Sequence, residues 1–149
     1  MEVGVGVIEK RGRIDRGEWY MNIALDIAQR STCLRAKAGA IVVKNDAIIS
    51  QGYCGSPRGD PNCCDIGICE RDRLCIEPGK SYEICRSLHA EMNCIINAAR
   101  NGVSVLDGEM YIYFERLDGQ KKKHGGPCLI CSKIIKNAGI KKVIFKEIA

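Results

Sequence analysis

His89-Ala90-Glu91 and, 39 residues on from His89, Pro127-Cys128-Leu129-Ile130-Cys131 each open a stretch with helical periodicity. The first runs through Leu88, Met92, Ile95, Ile96 and Ala99. The second runs through Cys128, Cys131, Ile134, Ile135 and Ala138, with Pro127 just before and Gly139 just after. One histidine and two cysteines at these places share a metal ion only if the two helix starts meet. Any fold of this chain that uses them must therefore set two helix N-termini against each other.

The residue types suit zinc. The ion prefers four tetrahedral nitrogen and sulfur ligands, and a catalytic site keeps one position for water. His89, Cys128 and Cys131 supply three ligands and leave the fourth open. Two thiolates and a neutral imidazole cancel the charge of the ion, which lowers the pKa of its water to about 7. Cys128 and Cys131 share a helix face, and the positive end of the helix dipole favours thiolate over thiol. Glu91, two residues past His89, faces sideways from it, in reach of the water and off the metal, where a carboxylate does general acid–base work. A lone CxxC is otherwise a redox pair or half of a structural zinc site. Among ten cysteines this is the only CxxC, which argues against paired zinc knuckles, and it lies in the last quarter of the chain, where a thioredoxin-like motif is not expected.

At 149 residues, 46% of them hydrophobic, the chain fits a lead-in over residues 1–17 and a single domain over 18–149. No run approaches the ~18 apolar residues of a membrane span, and the first 16 residues lack the apolar block of a secretory signal. A cytoplasmic protein without a membrane partner is expected. In that reducing compartment the cysteines read as metal ligands or buried thiols rather than disulfides. The net charge of +5 suits an anionic substrate without demanding nucleic acid. Lys121-Lys122-Lys123-His124 is the one basic run, and no aromatic residue interleaves with it to stack bases, so nucleic acid is not an expected partner.

Residues 18–31 carry Tyr20, Ile23, Ala24, Ile27 and Ala28 at helical spacing. Residues 38–43 and 47–53 read as strands joined by a Lys44-Asn45-Asp46 turn. Residues 54–86 show no period and are expected to be irregular. Residues 109–114 form a third strand, 116–126 a polar excursion, and 142–146 a last strand. This order predicts an α/β domain whose last strands run parallel with right-handed crossovers.

Further segments carry a family likeness. Arg30-Ser31-Thr32-Cys33 ahead of Ala38-Gly39-Ala40-Ile41-Val42-Val43, the loop Gly52-Tyr53-Cys54-Gly55-Ser56-Pro57-Arg58-Gly59, His89-Ala90-Glu91-Met92-Asn93 and Asn137-Ala138-Gly139-Ile140 resemble the cytidine and deoxycytidylate deaminase superfamily, its dCMP deaminases most closely. The resemblance implies a three-layer α/β/α cytidine-deaminase-like fold, a mixed sheet of four to five strands flanked by helices. It implies zinc-dependent hydrolysis of dCMP to dUMP and ammonia in pyrimidine nucleotide metabolism, with Glu91 as the proton shuttle and zinc on His89, Cys128 and Cys131. It also implies Cys54, Ser56, Arg58 and Ala90 at the nucleotide, and a homo-oligomer, often a hexamer in this family. For Arg58 the two readings are a contact to the 5′-phosphate and an exposed surface arginine.

Three departures from the family pattern stand out. Cys54 occupies the place of an Asn that holds a sugar hydroxyl in relatives, and a thiol is a poor donor and acceptor. Residues 115–126 are inserted ahead of Pro127. The chain stops after its fourth strand, where relatives commonly continue into a fifth with further substrate contacts. Those contacts are expected to be absent or to come from a neighbouring subunit.

Cys63, Cys64, Cys69, Cys75 and Cys85 crowd the aperiodic segment. A segment of this length rarely holds its shape without a constraint. A second, structural zinc of the kind some dCMP deaminases carry would supply it, on Cys63 or Cys64, Cys69 and Cys85, with the fourth ligand open. The alternative is a set of small buried side chains, the reading given to Cys33 and Cys94. Two other functions remain: a deaminase of the same scaffold acting on a nucleoside, a base or a transfer-RNA adenosine, and a non-catalytic zinc-binding interaction domain. A structural zinc alone would not need Glu91.

Overall fold

The computed structural model describes residues 11–118 and 125–148, so most of the lead-in and the Lys121-Lys122-Lys123-His124 run lie outside the described residues. The sheet is built around β1 (Ala36–Lys44), buried along most of its length. β1 pairs antiparallel with β2 (Ala47–Tyr53). Asn45 and Asp46 between them have φ of 50° and 61°, the positive pair whose twist suits a two-residue hairpin. On its other side β1 pairs antiparallel with β3 (Glu109–Arg116), and β3 pairs parallel with β4 (Lys142–Ile148), giving the order β2-β1-β3-β4. The sheet is mixed and its last two strands are parallel, as expected. β3 runs past the expected 109–114 through Glu115 and Arg116.

Side chains alternate across a sheet, and here that alternation makes two cores. Ala38, Ala40, Val42, Met110 and Ile112 face α4 (Ala90–Arg100) and α5 (Leu129–Asn137). Ile41, Val43, Tyr111 and Tyr113 face α1 (Arg16–Ala28) on the opposite side. Three layers result. α1 starts where Asp15 Oδ1 accepts the Glu18 N–H at 3.1 Å. It buries Tyr20, Met21, Ala24 and Ala28, while Ile23 and Ile27 are only partly covered.

Two glycines let the helices approach the sheet backbone. A Cβ on Gly39 would lie 2.1 Å from the Ala24 carbonyl oxygen in α1, and one on Gly52 would lie 2.3 Å from the Cys94 nitrogen in α4. The segment 54–86 is less irregular than expected. It holds two single-turn helices, α2 (Cys63–Ile66) and α3 (Glu70–Arg73), and a 3₁₀ turn at Tyr82–Ile84. Four-residue helices are too short to leave a period in a sequence. No described helix is long and apolar enough to cross a membrane.

Candidate metal centre

His89 is the N-cap residue of α4 and Cys128 that of α5, with Cys131 in the first turn of α5. Both helices lie on one face of the sheet, and their N-termini meet. His89 Nδ1 stands 3.4 Å from Cys128 Sγ and 3.3 Å from Cys131 Sγ. Among the described residues, these three make the only group of three or more metal-ligating side chains whose donor atoms all lie within 4.8 Å of one another. A tetrahedral zinc with bonds of about 2.0 Å to nitrogen and about 2.3 Å to sulfur spaces its ligand atoms about 3.5 Å apart. The arrangement and the donor set therefore fit zinc.

Charge is prepared as well. The Cys131 thiol donates to Cys128 and, with the His89 ring and the Cys131 N–H, holds the Cys128 thiol down at about 3, against the opposing effect of burial. The Cys131 N–H reaches Cys128 Sγ at 3.5 Å, so one sulfur is both helix cap and metal donor. Farther along α4, burial pushes Cys94 up to about 12, consistent with a packing residue. In metal-free protein at pH 5, iodoacetamide should alkylate Cys128 and spare Cys94. Cys128 labelling should fall only as the pH drops through about 3, where its thiolate takes up a proton. Peptide mapping by mass spectrometry reads both sites, and equal labelling would contradict this.

Glu91 lies in the first turn of α4 and is only 5% exposed. Its charge raises the pKa of the Cys54 thiol, after the larger effects of Cys33 and burial, and also that of Cys94. That loop is pinned beside His89 by two backbone bonds, Gly55 N–H to Leu88 O at 3.2 Å and Leu88 N–H to Gly55 O at 2.9 Å. Ala90 and Cys54 are buried. The Ser56 hydroxyl is buried and finds no hydrogen-bond partner. Arg58 stands elsewhere: it is exposed and donates to Asn97 Oδ1 at 2.6 Å. Asn97 is six residues beyond Glu91, about 9 Å along the helix at about 1.5 Å per residue.

Two site neighbours had no signal in the sequence. The Tyr82 ring meets the His89 imidazole edge-on, with centroids 5.0 Å apart and planes at 85°. The Arg71 guanidinium sits 4.7 Å over the Tyr82 ring and is itself buried, donating to the Glu77 carbonyl. A single tyrosine and a single arginine in an aperiodic segment carry no spacing to read.

The cysteine-rich segment divides. Cys63 and Cys69 are buried, Cys85 is half-buried, and Cys64 and Cys75 are exposed. Cys63 feels the sulfurs of Cys33 and Cys69, and Cys85 feels the same two, though no three of these sulfurs come within 4.8 Å of one another. Cys33 packs against the core, as expected. The Cys54 thiol donates to it and holds it down at about 6, helped by the N–H groups of Arg35 and Ala36.

Comparison with known proteins adds a family. The family profile described as the cytidine and deoxycytidylate deaminase zinc-binding region matches residues 14–147. The deoxycytidylate deaminase of Schizosaccharomyces pombe is 33% identical over 127 residues, which are 85% of this chain and 35% of that protein. That of Enterobacteria phage T4 is 33% identical over 156 residues, covering 85% of this chain and 75% of that protein. The chain thus spans about a third of the first relative and three quarters of the second. The crystal structure of dCMP deaminase from cyanophage S-TIM5, in complex with dCMP and dUMP, aligns with a TM-score of 0.67 at 32% identity over 92% of this chain and 85% of that one.

Proposed function

The chain belongs to the cytidine and deoxycytidylate deaminase family, and from there we propose that it hydrolyses dCMP to dUMP and ammonia, with zinc on His89, Cys128 and Cys131. The observation that carries this reading is the meeting of His89 Nδ1 with both sulfurs while Glu91 lies buried one residue inside the same helix end.

When bound, zinc supplies a Lewis acid that lowers the pKa of water at the site to about 7. The chain's own residues do the rest. A carboxylate oxygen of Glu91 takes the proton of the attacking water and delivers it to N3 of the pyrimidine. As the water oxygen bonds to C4, Glu91 takes a second proton, from the new C4 hydroxyl, and hands it to the amino group on C4, whose C–N bond breaks to release ammonia as the C4 carbonyl forms. The burial of Glu91 keeps bulk water from that oxygen. The unpartnered Ser56 hydroxyl is free to bond the nucleotide.

We assign the 5′-phosphate to Arg58, which must exchange its Asn97 bond for phosphate oxygens. Arg58→Ala should then raise KM about tenfold for dCMP and leave KM for deoxycytidine unchanged. Equal effects on the two substrates would remove the assignment.

The deaminase reading is tested by ammonia release from dCMP, CMP, deoxycytidine, cytidine and dCTP on zinc-replete protein. Faster turnover of a nucleoside would replace the nucleotide substrate. No turnover with zinc bound would leave a binding module. A cytoplasmic homo-oligomer, up to a hexamer, belongs to the same proposal. It is supported by Leu129, 72% exposed beside the metal ligands, and light scattering measures it.

A second, structural zinc is part of the proposal too, on Cys63, Cys69 and Cys85, with Cys33 as the fourth donor. It is supported by the electrostatic effect of Cys33 and Cys69 on both Cys63 and Cys85. Exposed Cys64 drops out in favour of its buried neighbour, and the thiols must turn inward to close on an ion. Elemental analysis of protein purified without chelator should give two zinc ions per chain; one per chain would end the idea.

A further inference from the structure

We infer that Asn93 is a positioning residue whose side-chain amide holds the loop wall in register with Glu91, and that it thereby governs how tightly a nucleotide binds more than how fast it reacts. This role rests on the deaminase reading above.

Asn93 sits one turn past His89 in α4, its own N–H bonded to the His89 carbonyl at 3.0 Å. Its side chain leaves the helix for the loop. Nδ2 donates to the Tyr53 carbonyl at 2.8 Å and to the Gly55 carbonyl at 3.3 Å. A side-chain amide nitrogen has two hydrogens, and the two carbonyls that take them stand on either side of Cys54.

The remaining bonds of this stretch run to other parts of the chain. Cys54 N–H goes to the Ala38 carbonyl at 3.1 Å, the Cys54 carbonyl accepts the Thr32 N–H at 2.9 Å, and Gly55 pairs with Leu88. Sheet, α1–β1 connection and the approach to His89 thus fix the loop from three directions. Asn93 adds a polar link from the loop to the helix that carries Glu91. Below it, Gly52 lets the strand rest on the α4 backbone, where an added Cβ would lie 2.7 Å from the Asn93 carbonyl carbon.

The consequence is geometric. A substrate whose reacting atom lies between His89 and Glu91 has Cys54 and Ser56 as its nearby wall. If the link is cut, the wall shifts while the ligands and the carboxylate stay in place on their own helices. Ground-state contacts then loosen and the reacting centre does not.

Asn93→Asp keeps the shape, removes both donors and sets a carboxylate against two carbonyl oxygens. We expect KM for dCMP to rise about tenfold, kcat to stay within about twofold, and zinc content to be unchanged. Hydrogen exchange at the Gly55 and Leu88 amides should quicken. Asn93→Ala removes the donors without adding charge, and it serves if the Asp variant does not fold. An unchanged KM with only a lower melting temperature would overturn the inference, as would a fall in kcat at constant KM. If wild-type protein does not deaminate dCMP, the functional reading fails separately. The exchange rates still judge Asn93, since unchanged protection at Gly55 and Leu88 would refute its hold on the loop.

Discussion

Glu91→Gln should bind zinc like the wild type and lose turnover of dCMP by about 10³-fold, within the 10²–10⁴-fold that a positioned acid–base group contributes. The substitution keeps volume and one carbonyl oxygen, so the buried niche in the first turn of α4 is still filled. His89, Cys128 and Cys131 are untouched, and zinc content should stay at the wild-type level. What disappears is a group able to accept a proton and give it up again, on a substrate that needs one at N3 and another at the departing amine. Ammonia release beside elemental analysis separates the two effects. A variant within tenfold of wild-type kcat would remove Glu91 from the mechanism. Loss of zinc would show instead that the carboxylate supports the metal centre.

Gly52→Ala should destabilise the fold by about 3 kcal/mol, the upper part of what overpacking usually costs, and lower the melting temperature by about 6–12 °C for a chain of this size. The added methyl would lie 2.3 Å from the Cys94 nitrogen, 2.7 Å from the Asn93 carbonyl carbon and 2.8 Å from the Ala90 carbonyl oxygen. All three are helix backbone, so no side-chain rotation relieves the contact. β2 and α4 must part, and the buried bond from the Ser50 hydroxyl to the Cys94 carbonyl, 2.6 Å, opens with them. Because the site loop continues directly from β2, activity should fall with stability. Thermal unfolding by circular dichroism measures the first effect. A melting temperature within 2 °C of wild type would show that the layers have room that these distances deny.

Much of this was legible in the residues. His89, Glu91, Cys128 and Cys131 carry spacing, helix phase and chemistry together, and the structure brings the three donors to one point. The four strands were visible as short apolar runs, β-branched or aromatic, set off by turn residues and polar stretches. The site wall was less visible. Tyr82, Arg71 and the contact between Cys33 and Cys54 depend on a segment of single-turn elements whose course is set by tertiary contacts and not by period. Arg58 shows the limit from the other side. Its loop could be recognised, but the partner of its side chain, Asn97, lies 39 positions away and is chosen by packing.

Gly39 and Gly52 lie in adjacent strands, one register step apart, where Ala40 opposes Gly52 and Gly39 opposes Tyr53. α1 presses on the sheet from one side at Gly39 and α4 from the other at Gly52, so the layers form a narrow waist there. Neither helix can swing or slide at that waist without a backbone collision. A guest molecule reaching the buried carboxylate must therefore be let in by the connecting segments at the rim.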